Sequence, residues 1–296
     1  MKRFIGIIST IFTALLLVYT PQTYAASFNT DIWDGLRTGS NLSVTSSKNS
    51  EQANVYAALG DSVGAGAGLP ASPTATARDK QCGRSPQGYP ALVAKSAGLP
   101  LVNATCSGAK VGDIFTKQSV DGPNIPAQLD TAFAYGTPKV MSITAGANDA
   151  HWQDFLRACY SSNCATKTTT TAANAYLRAL QLKLYYMFYA IESRSNGTPP
   201  PVYITGYYNP LSSNCSGDKL TSAEITWLNA EVAALNQTIK NVSGKFSFAT
   251  FVPVNFAGHD ICSNSPWVQG LSAPAPFHPT ATGQKAIGNA VIRAMR

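Results

Sequence analysis

From Val55 onward the chain alternates between short apolar runs and longer segments in which apolar residues recur every three or four positions. The short runs are 55–59, 99–103, 140–144, 202–205 and 246–254. Each is apolar or β-branched and bounded by turn-forming residues, a pattern that predicts five β-strands. The longer segments carry helix signals. Thr221-Ser222-Ala223-Glu224 is a capping box, and Ile225, Leu228, Val232, Leu235, Ile239 and Val242 follow at helical spacing before Gly244. A second helix is predicted over 172–192, with Tyr176, Leu177, Leu180, Leu184, Phe188 and Ile191 on one face. Its several tyrosines read as packing residues. A last helix follows Pro279 and turns Ala286, Ile287, Ala290, Val291 and Ala294 inward. Strands alternating with helices predict an α/β fold, a parallel sheet with helices on both faces. Ligands of such sheets bind at the carboxyl ends of the strands.

Upstream of Val55 the pattern is different. Met1-Lys2-Arg3, an apolar run from Phe4 to Val18, and Thr23-Tyr24-Ala25 form the three parts of a secretory signal peptide. The apolar run is shorter than the roughly 20 residues a membrane-spanning helix needs. Residues 1–25 are therefore expected to be removed near Ala25, giving a secreted, extracellular protein with no stable membrane span. Residues 26–52 are rich in Ser, Asn and Thr without periodicity and are expected to form an N-terminal arm. Residues 53–296 remain as one large domain with a substantial core.

The formal charge of +7 includes Lys2 and Arg3 and falls to about +5 without them. The basic residues are scattered, with no cluster interleaved with aromatics, so nucleic-acid binding has no support. Six cysteines lie beyond the signal segment: Cys82, Cys106, Cys159, Cys164, Cys215 and Cys262. An even count in an exported chain predicts three disulfides, of which many pairings are possible. Pairing in sequence order (Cys82–Cys106, Cys159–Cys164, Cys215–Cys262) closes short loops and is the expected one. Zinc is the rival reading, but there is no Cys-x-x-Cys pair, and no metal is expected.

Four separated blocks carry candidate chemistry: Gly60-Asp61-Ser62, Cys106-Ser107-Gly108-Ala109, Gly146-Ala147-Asn148-Asp149 and Phe277-His278-Pro279. Each lies at a predicted strand end or helix start. Serine is a poor nucleophile until a tight turn exposes it beside a general base and oxyanion donors. Ser62 would attack an acyl carbon, and His278 would take its proton. A glycine amide and an asparagine amide would stabilise the developing oxyanion without adding charge. Gly60-Asp61-Ser62-Val63-Gly64 also fits the nucleophile elbow of α/β-hydrolases, but in that fold several strands precede the serine and here only one does.

In these four blocks, taken in order, the chain resembles the GDSL, or SGNH, hydrolases, named for Ser, Gly, Asn and His residues. The resemblance spans about residues 55–290. It implies a three-layer α/β/α, flavodoxin-like fold with a central five-stranded parallel sheet in the order 2-1-3-4-5. It also implies Ser62 as nucleophile, His278 as general base, and an oxyanion hole made by the Ser62 and Gly108 backbone amides with the Asn148 side chain. The leucine of the family name is Val63 here. The six cysteines, with Gly258-His259-Asp260-Ile261-Cys262 and Pro266-Trp267, look like the secreted bacterial branch, in which sequential disulfides are usual. One departure concerns the base. The family's last block is usually Asp-x-x-His, whereas Ala275 stands three residues before His278. The Ala275 carbonyl is the first candidate to orient the imidazole, and Asp260 the second.

Of the other polar residues near these blocks, His151 is expected at the rim and His259 near the Cys215–Cys262 bridge. Asp149 is expected to hold a loop, and Asp61 to accept from backbone amides. The expected activity is that of a secreted serine esterase or lipase cleaving carboxylic esters through an acyl-serine intermediate, acting as a monomer without a cofactor. The alternatives are a carbohydrate (acetyl) esterase and a catalytically inactive binding protein on the same scaffold.

Overall fold

The first strand, β1 (Gln52–Gly60), grades from exposed at its start to fully buried over its last five residues. The computed structural model describes residues 52–119, 123–217 and 219–296; the expected signal peptide and nearly all of the expected arm lie outside them. β1 pairs in parallel with β2 (Leu101–Asn103) on one side and β3 (Thr137–Thr144) on the other. Two more parallel strands, β4 (Val202–Thr205) and β5 (Ala249–Val252), complete the order β2-β1-β3-β4-β5. Sequence reasoning sets β2 two residues too early, because Pro100 has no N–H for the ladder; its carbonyl instead accepts the Tyr56 N–H at 2.9 Å. It also makes β5 too long. Phe246 and Phe248 are apolar, but they pack against Phe188 rather than joining the ladder, and Pro253 ends the strand.

Parallel neighbours need crossover connections, and helices supply them. α1 (Ser62–Ala65), α2 (Ala77–Gln81) and α3 (Tyr89–Ala97) link β1 to β2; α4 (Gly112–Phe115) and α5 (Gln128–Ala132) link β2 to β3. α6 (Trp152–Ser161) and the 28-residue α7 (Lys167–Arg194) precede β4; α8 (Ser222–Ser243) precedes β5, and α9 (Ala281–Ala294) closes the chain. α3 packs beside α9 and α7 beside α8, giving the three-layer arrangement. The main core cluster spans both faces of the sheet, and smaller ones lie around the Cys159–Cys164 and Cys82–Cys106 bridges. Tyr56, Leu59, Met141 and Ile143 come from the central strands, and Leu180, Leu184, Met187 and Phe188 from α7. Val232, Leu235 and Ile239 of α8 and Ile287 and Val291 of α9 join them.

The helix termini show local chemistry at work. α8 begins with the expected capping box: the Thr221 hydroxyl accepts from the Glu224 N–H, and the Glu224 carboxylate accepts from the Thr221 N–H. α7 begins five residues before its predicted start. Its first turns are a threonine run, poor in helix propensity, but Thr166 and Thr169 form a second capping box. Thr170 and Thr171 return their hydroxyls to carbonyls one turn back. Tyr176, expected on the packed face of α7, is 36% exposed and stacks on His151 at 4.2 Å. The six cysteines are joined as Cys82–Cys106, Cys159–Cys164 and Cys215–Cys262. Among the described residues, no helix is long and apolar enough to cross a membrane.

Candidate active site

β1 delivers the serine. Its last residue, Gly60, has φ +125°, and a Cβ there would lie 2.0 Å from the Thr144 carbonyl oxygen of β3. Only glycine fits both the angle and the close approach. The buried Gln128 side chain of α5 holds this residue from the other side, accepting the Gly60 N–H at 2.6 Å and donating to its carbonyl at 2.9 Å. Asp61 then caps α1, accepting the Val63 N–H at 2.9 Å. Ser62 is the first residue of that helix, so its side chain stands at the carboxyl end of the sheet, as the parallel architecture requires of a ligand site.

The loop before α9 brings His278 to it. His278 Nε2 lies 2.7 Å from Ser62 Oγ, across 216 residues of sequence. The other ring nitrogen, Nδ1, lies 3.1 Å from the Pro276 carbonyl oxygen. A carbonyl can only accept, so Nδ1 carries the proton and Nε2 is left to accept from the serine hydroxyl. The ring's geometric partner is thus the carbonyl one residue after the expected one. The Ala275 carbonyl, the expected partner, accepts the His278 backbone N–H at 3.2 Å and also acts on the ring beside the Pro276 carbonyl. Asp260 makes no hydrogen bond to His278 among the described residues. Its carboxylate accepts the Cys262 N–H at 2.9 Å and lies against the Cys215–Cys262 bridge. Phe277, between the Pro276 carbonyl and His278, has φ +66°. For a bulky residue that conformation costs about 1–3 kcal/mol. Burial holds the His278 pKa below its ordinary value of 6.5, and the Pro276 and Ala275 carbonyls partly offset that. The ring is thus neutral, as a base must be, at neutral pH.

Two further loops meet at the serine. Gly108 follows the Cys82–Cys106 bridge in a left-handed turn, φ +76°. That loop is pinned by Cys106 N–H to the Gly60 carbonyl, by Ser107 N–H to the Cys82 carbonyl, and by Gln118 Nε2 to the Ser107 carbonyl. Asn148, after β3, donates Nδ2 to the Ala109 carbonyl at 2.9 Å, which leaves its second amide hydrogen for the cleft. The Ser62 and Gly108 backbone N–H groups have no acceptor among the described residues. Asp149 holds the same two loops together from beneath: its buried carboxylate accepts the Val111 N–H at 2.8 Å and pairs with Lys183 of α7 at 2.7 Å.

A cavity of about 60 Å³ opens over Ser62, Asn148 and His278, walled by Trp152, Tyr207, Tyr208, Val232, Leu235 and Phe277. A second, of about 180 Å³, adjoins it across Asn148 and Trp152; it is lined by Gly108, Lys110, His151, Gln153 and Asp154. The first is apolar around a small polar centre, and the second is polar. His151 stands at this rim, paired with Asp154 at 2.9 Å. His259 is stacked on Trp267 at 3.8 Å, away from the serine cleft's lining. Burial drives the Asp61 carboxyl up to about 7, against the hydrogen bonds from Tyr207 and Val63 that favour its charge.

Several residues here carry no mark in the sequence. Gln128, Lys183, Tyr207 and Tyr208 reach the site only because the sheet brings their elements together. Their spacing from the motif blocks carries no signal, although the paired tyrosines directly after β4, at the carboxyl end of a central strand, stand where side chains reach a ligand.

Residues 58–286 match the model of the GDSL-like Lipase/Acylhydrolase family. A lipase of Streptomyces rimosus is 34% identical over 242 residues, spanning 79% of this chain and 83% of the relative. Among solved structures, an extracellular lipase from Streptomyces rimosus superposes with a TM-score of 0.67 at 29% identity, covering 82% of this chain and 99% of that one. Phospholipase A1 from Streptomyces albidoflavus NA297 follows with a TM-score of 0.65 at 26% identity and the same coverages. With most of its length matched by the family's model, and with a relative above 30% identity across most of both chains, this protein belongs to the GDSL-like lipase/acylhydrolase family.

Proposed function

We propose that this protein is a secreted serine esterase or lipase that hydrolyses carboxylic esters through an acyl-serine intermediate. The observation that carries the reading is the 2.7 Å approach of His278 Nε2 to Ser62 Oγ, in a cleft that also holds the Asn148 amide. His278 takes the hydroxyl proton as Ser62 Oγ attacks the ester carbonyl carbon. The carbonyl oxygen becomes an oxyanion facing the Ser62 and Gly108 N–H groups and Asn148 Nδ2. Collapse of this intermediate breaks the bond to the alcohol oxygen, which leaves with the proton from His278. Water, deprotonated by the same ring, then releases the acid and restores Ser62. A neutral carbonyl can orient the histidine in place of an acid, because its task is to fix the tautomer.

The apolar walls from Trp152, Val232, Leu235 and Phe277 suit the acyl chain. The polar cavity beyond Asn148 suits the alcohol. The two solved relatives, a lipase and a phospholipase A1, support an acyl ester as substrate. Three disulfides and the signal-peptide pattern of residues 1–25 support export. The test is a chain-length series of nitrophenyl esters with the purified protein and with Ser62→Ala. Turnover confined to the serine-bearing protein is expected. Equal turnover by a folded Ser62→Ala would remove the mechanism.

A further inference from the structure

β4 ends at Thr205, and two tyrosines follow after one glycine. Both are buried, both line the serine cleft, and their hydroxyls point to different parts of it. The Tyr207 hydroxyl donates to the Asp61 carboxylate at 2.5 Å and accepts the Ala147 N–H at 3.2 Å. One oxygen atom thus joins the turn that presents Ser62 to the loop that presents Asn148. The Tyr208 hydroxyl donates to the Phe277 carbonyl at 2.8 Å. Phe277 is the left-handed residue whose backbone places His278. That strained peptide is restrained on its other side by the Phe277 N–H, which donates to the Gln269 carbonyl at 3.0 Å. The Phe277 ring is set edge-on to Trp152 and Tyr160. Such a conformation persists only where its surroundings over-determine it, and the Tyr208 hydroxyl is one of those restraints.

We propose that Tyr207 and Tyr208 are a pair of positioning residues that register the nucleophile, the oxyanion donor and the base against one another from the end of a single strand. This rests on the reading of Ser62, Asn148 and His278 as the reacting set. Tyr207 is also fixed from the backbone: its N–H donates to Asn236 Oδ1 of α8 at 2.7 Å, and its carbonyl accepts from Asn236 Nδ2 at 2.7 Å. The Tyr208 ring is stacked on Phe256 at 4.1 Å. Both rings are therefore held independently of their hydroxyls, and Tyr→Phe removes a tie without moving its anchor. Neither hydroxyl bonds to Ser62 or His278, so loss of either acts through geometry. Misplacement of a reacting group by about 1 Å costs on the order of a hundredfold.

The experiment compares Tyr207→Phe and Tyr208→Phe with wild type for kcat and KM on a short nitrophenyl ester. Thermal unfolding serves as the control for folding. The proton NMR resonance of His278 Nδ1–H, assigned by its absence in His278→Gln, is the second readout. Each variant is expected to lose about ten- to a hundredfold in kcat with KM held within about twofold. The His278 resonance is expected to shift or broaden in Tyr208→Phe and to stay in place in Tyr207→Phe. Should Tyr207→Phe fail to fold, Asp61→Ala removes the acceptor of the same tie, together with the Val63 cap, and should show at least the same kcat loss. Unchanged kcat in the folded variants, a loss confined to KM, or a His278 resonance indifferent to Tyr208 would overturn the proposal. If Ser62→Ala abolishes turnover while both tyrosine variants stay fully active, this inference falls and the serine reading stands. If Ser62→Ala stays active, the serine reading falls first.

Discussion

Replacing Asn148 by alanine should separate transition-state stabilisation from structure, because the side chain does two measurable things. One amide hydrogen ties the loop after β3 to the Ala109 carbonyl at 2.9 Å. The other is left free where Asn148 lines the cleft that holds Ser62 and His278. The tie is an ordinary intramolecular hydrogen bond, worth about 0.5–1.5 kcal/mol net. For a domain of this size each kcal/mol moves the melting midpoint by roughly 2–4 °C, so Asn148→Ala should lower Tm by about 1–6 °C. Loss of one oxyanion donor costs about 10²–10³ in kcat, or about 2.7–4 kcal/mol of barrier. The kinetic effect should therefore exceed the stability effect several-fold in energy. KM should change little, because the donor matters most when the carbonyl oxygen gains charge. Asn148→Asp keeps the size of the side chain, removes the donor and sets a negative charge beside the oxyanion; its kcat should fall at least as far. The assay is steady-state hydrolysis of a short nitrophenyl ester, with a urea or thermal melt on the same samples. A folded Asn148→Ala with kcat within about threefold of wild type, or with a loss only in KM, would refute the assignment of this amide to the oxyanion hole.

Asp260→Asn should cost less than about threefold in kcat, since Asn can still accept the Cys262 N–H; a loss on the order of 10⁴ in a folded protein, the size expected for a triad acid, would restore Asp260 to the catalytic set. The depressed His278 pKa places the acid limb of kcat/KM below about pH 6.5, and a limb at or above that value in the free enzyme would contradict the burial argument. Asp61 has the opposite sign: its folded pKa is raised from 3.8 to about 7, so its contribution to stability is full at low pH and is lost as pH rises through about 7. Asp61→Asn should flatten the decline in unfolding free energy between about pH 4 and 8, and an unchanged slope in chemical denaturation would show that another group is responsible. Removing the Cys82–Cys106 bridge with paired serines should cost about 2–4 kcal/mol. It should also lower kcat more than removing Cys159–Cys164, because only the first bridge anchors the Gly108 loop; equal kinetic effects would contradict that.

Much of the fold was legible because its signals are local. β4 was placed to the residue, since a strand buried on both faces reads as an unbroken apolar run. α8 was placed by its capping box and its apolar spacing. The overlong β5 shows that an apolar residue is not thereby a ladder residue. Phe246 and Phe248 extended the predicted β5 because their aromatic packing resembles strand composition. Tyr176 was set inward because spacing alone does not tell a core contact from a stack on His151 at the rim. At the site, the motif blocks mark Ser62, Gly108, Asn148 and His278, which stand at predicted strand and helix ends. The residues that hold those blocks in register were not visible. Gln128 lies 68 residues from Gly60, and Tyr207 lies 146 from Asp61. Nothing in either stretch of sequence records the encounter. The Pro276 carbonyl beside the His278 ring, and the left-handed Phe277 that follows it, are not foreseeable from Pro-Phe-His; they depend on contacts that only the folded chain makes.

The central claim is that Ser62 is activated by His278 and attacks an acyl carbon. Its most direct test is covalent. The protein is treated with a fluorophosphonate, digested, and mapped by mass spectrometry, with His278→Ala carried in parallel. The account predicts a single adduct on the peptide containing Ser62, formed rapidly by the wild type and at least about a hundredfold more slowly by the histidine variant. An adduct on another residue, or labelling of Ser62 at an undiminished rate in His278→Ala, would contradict it.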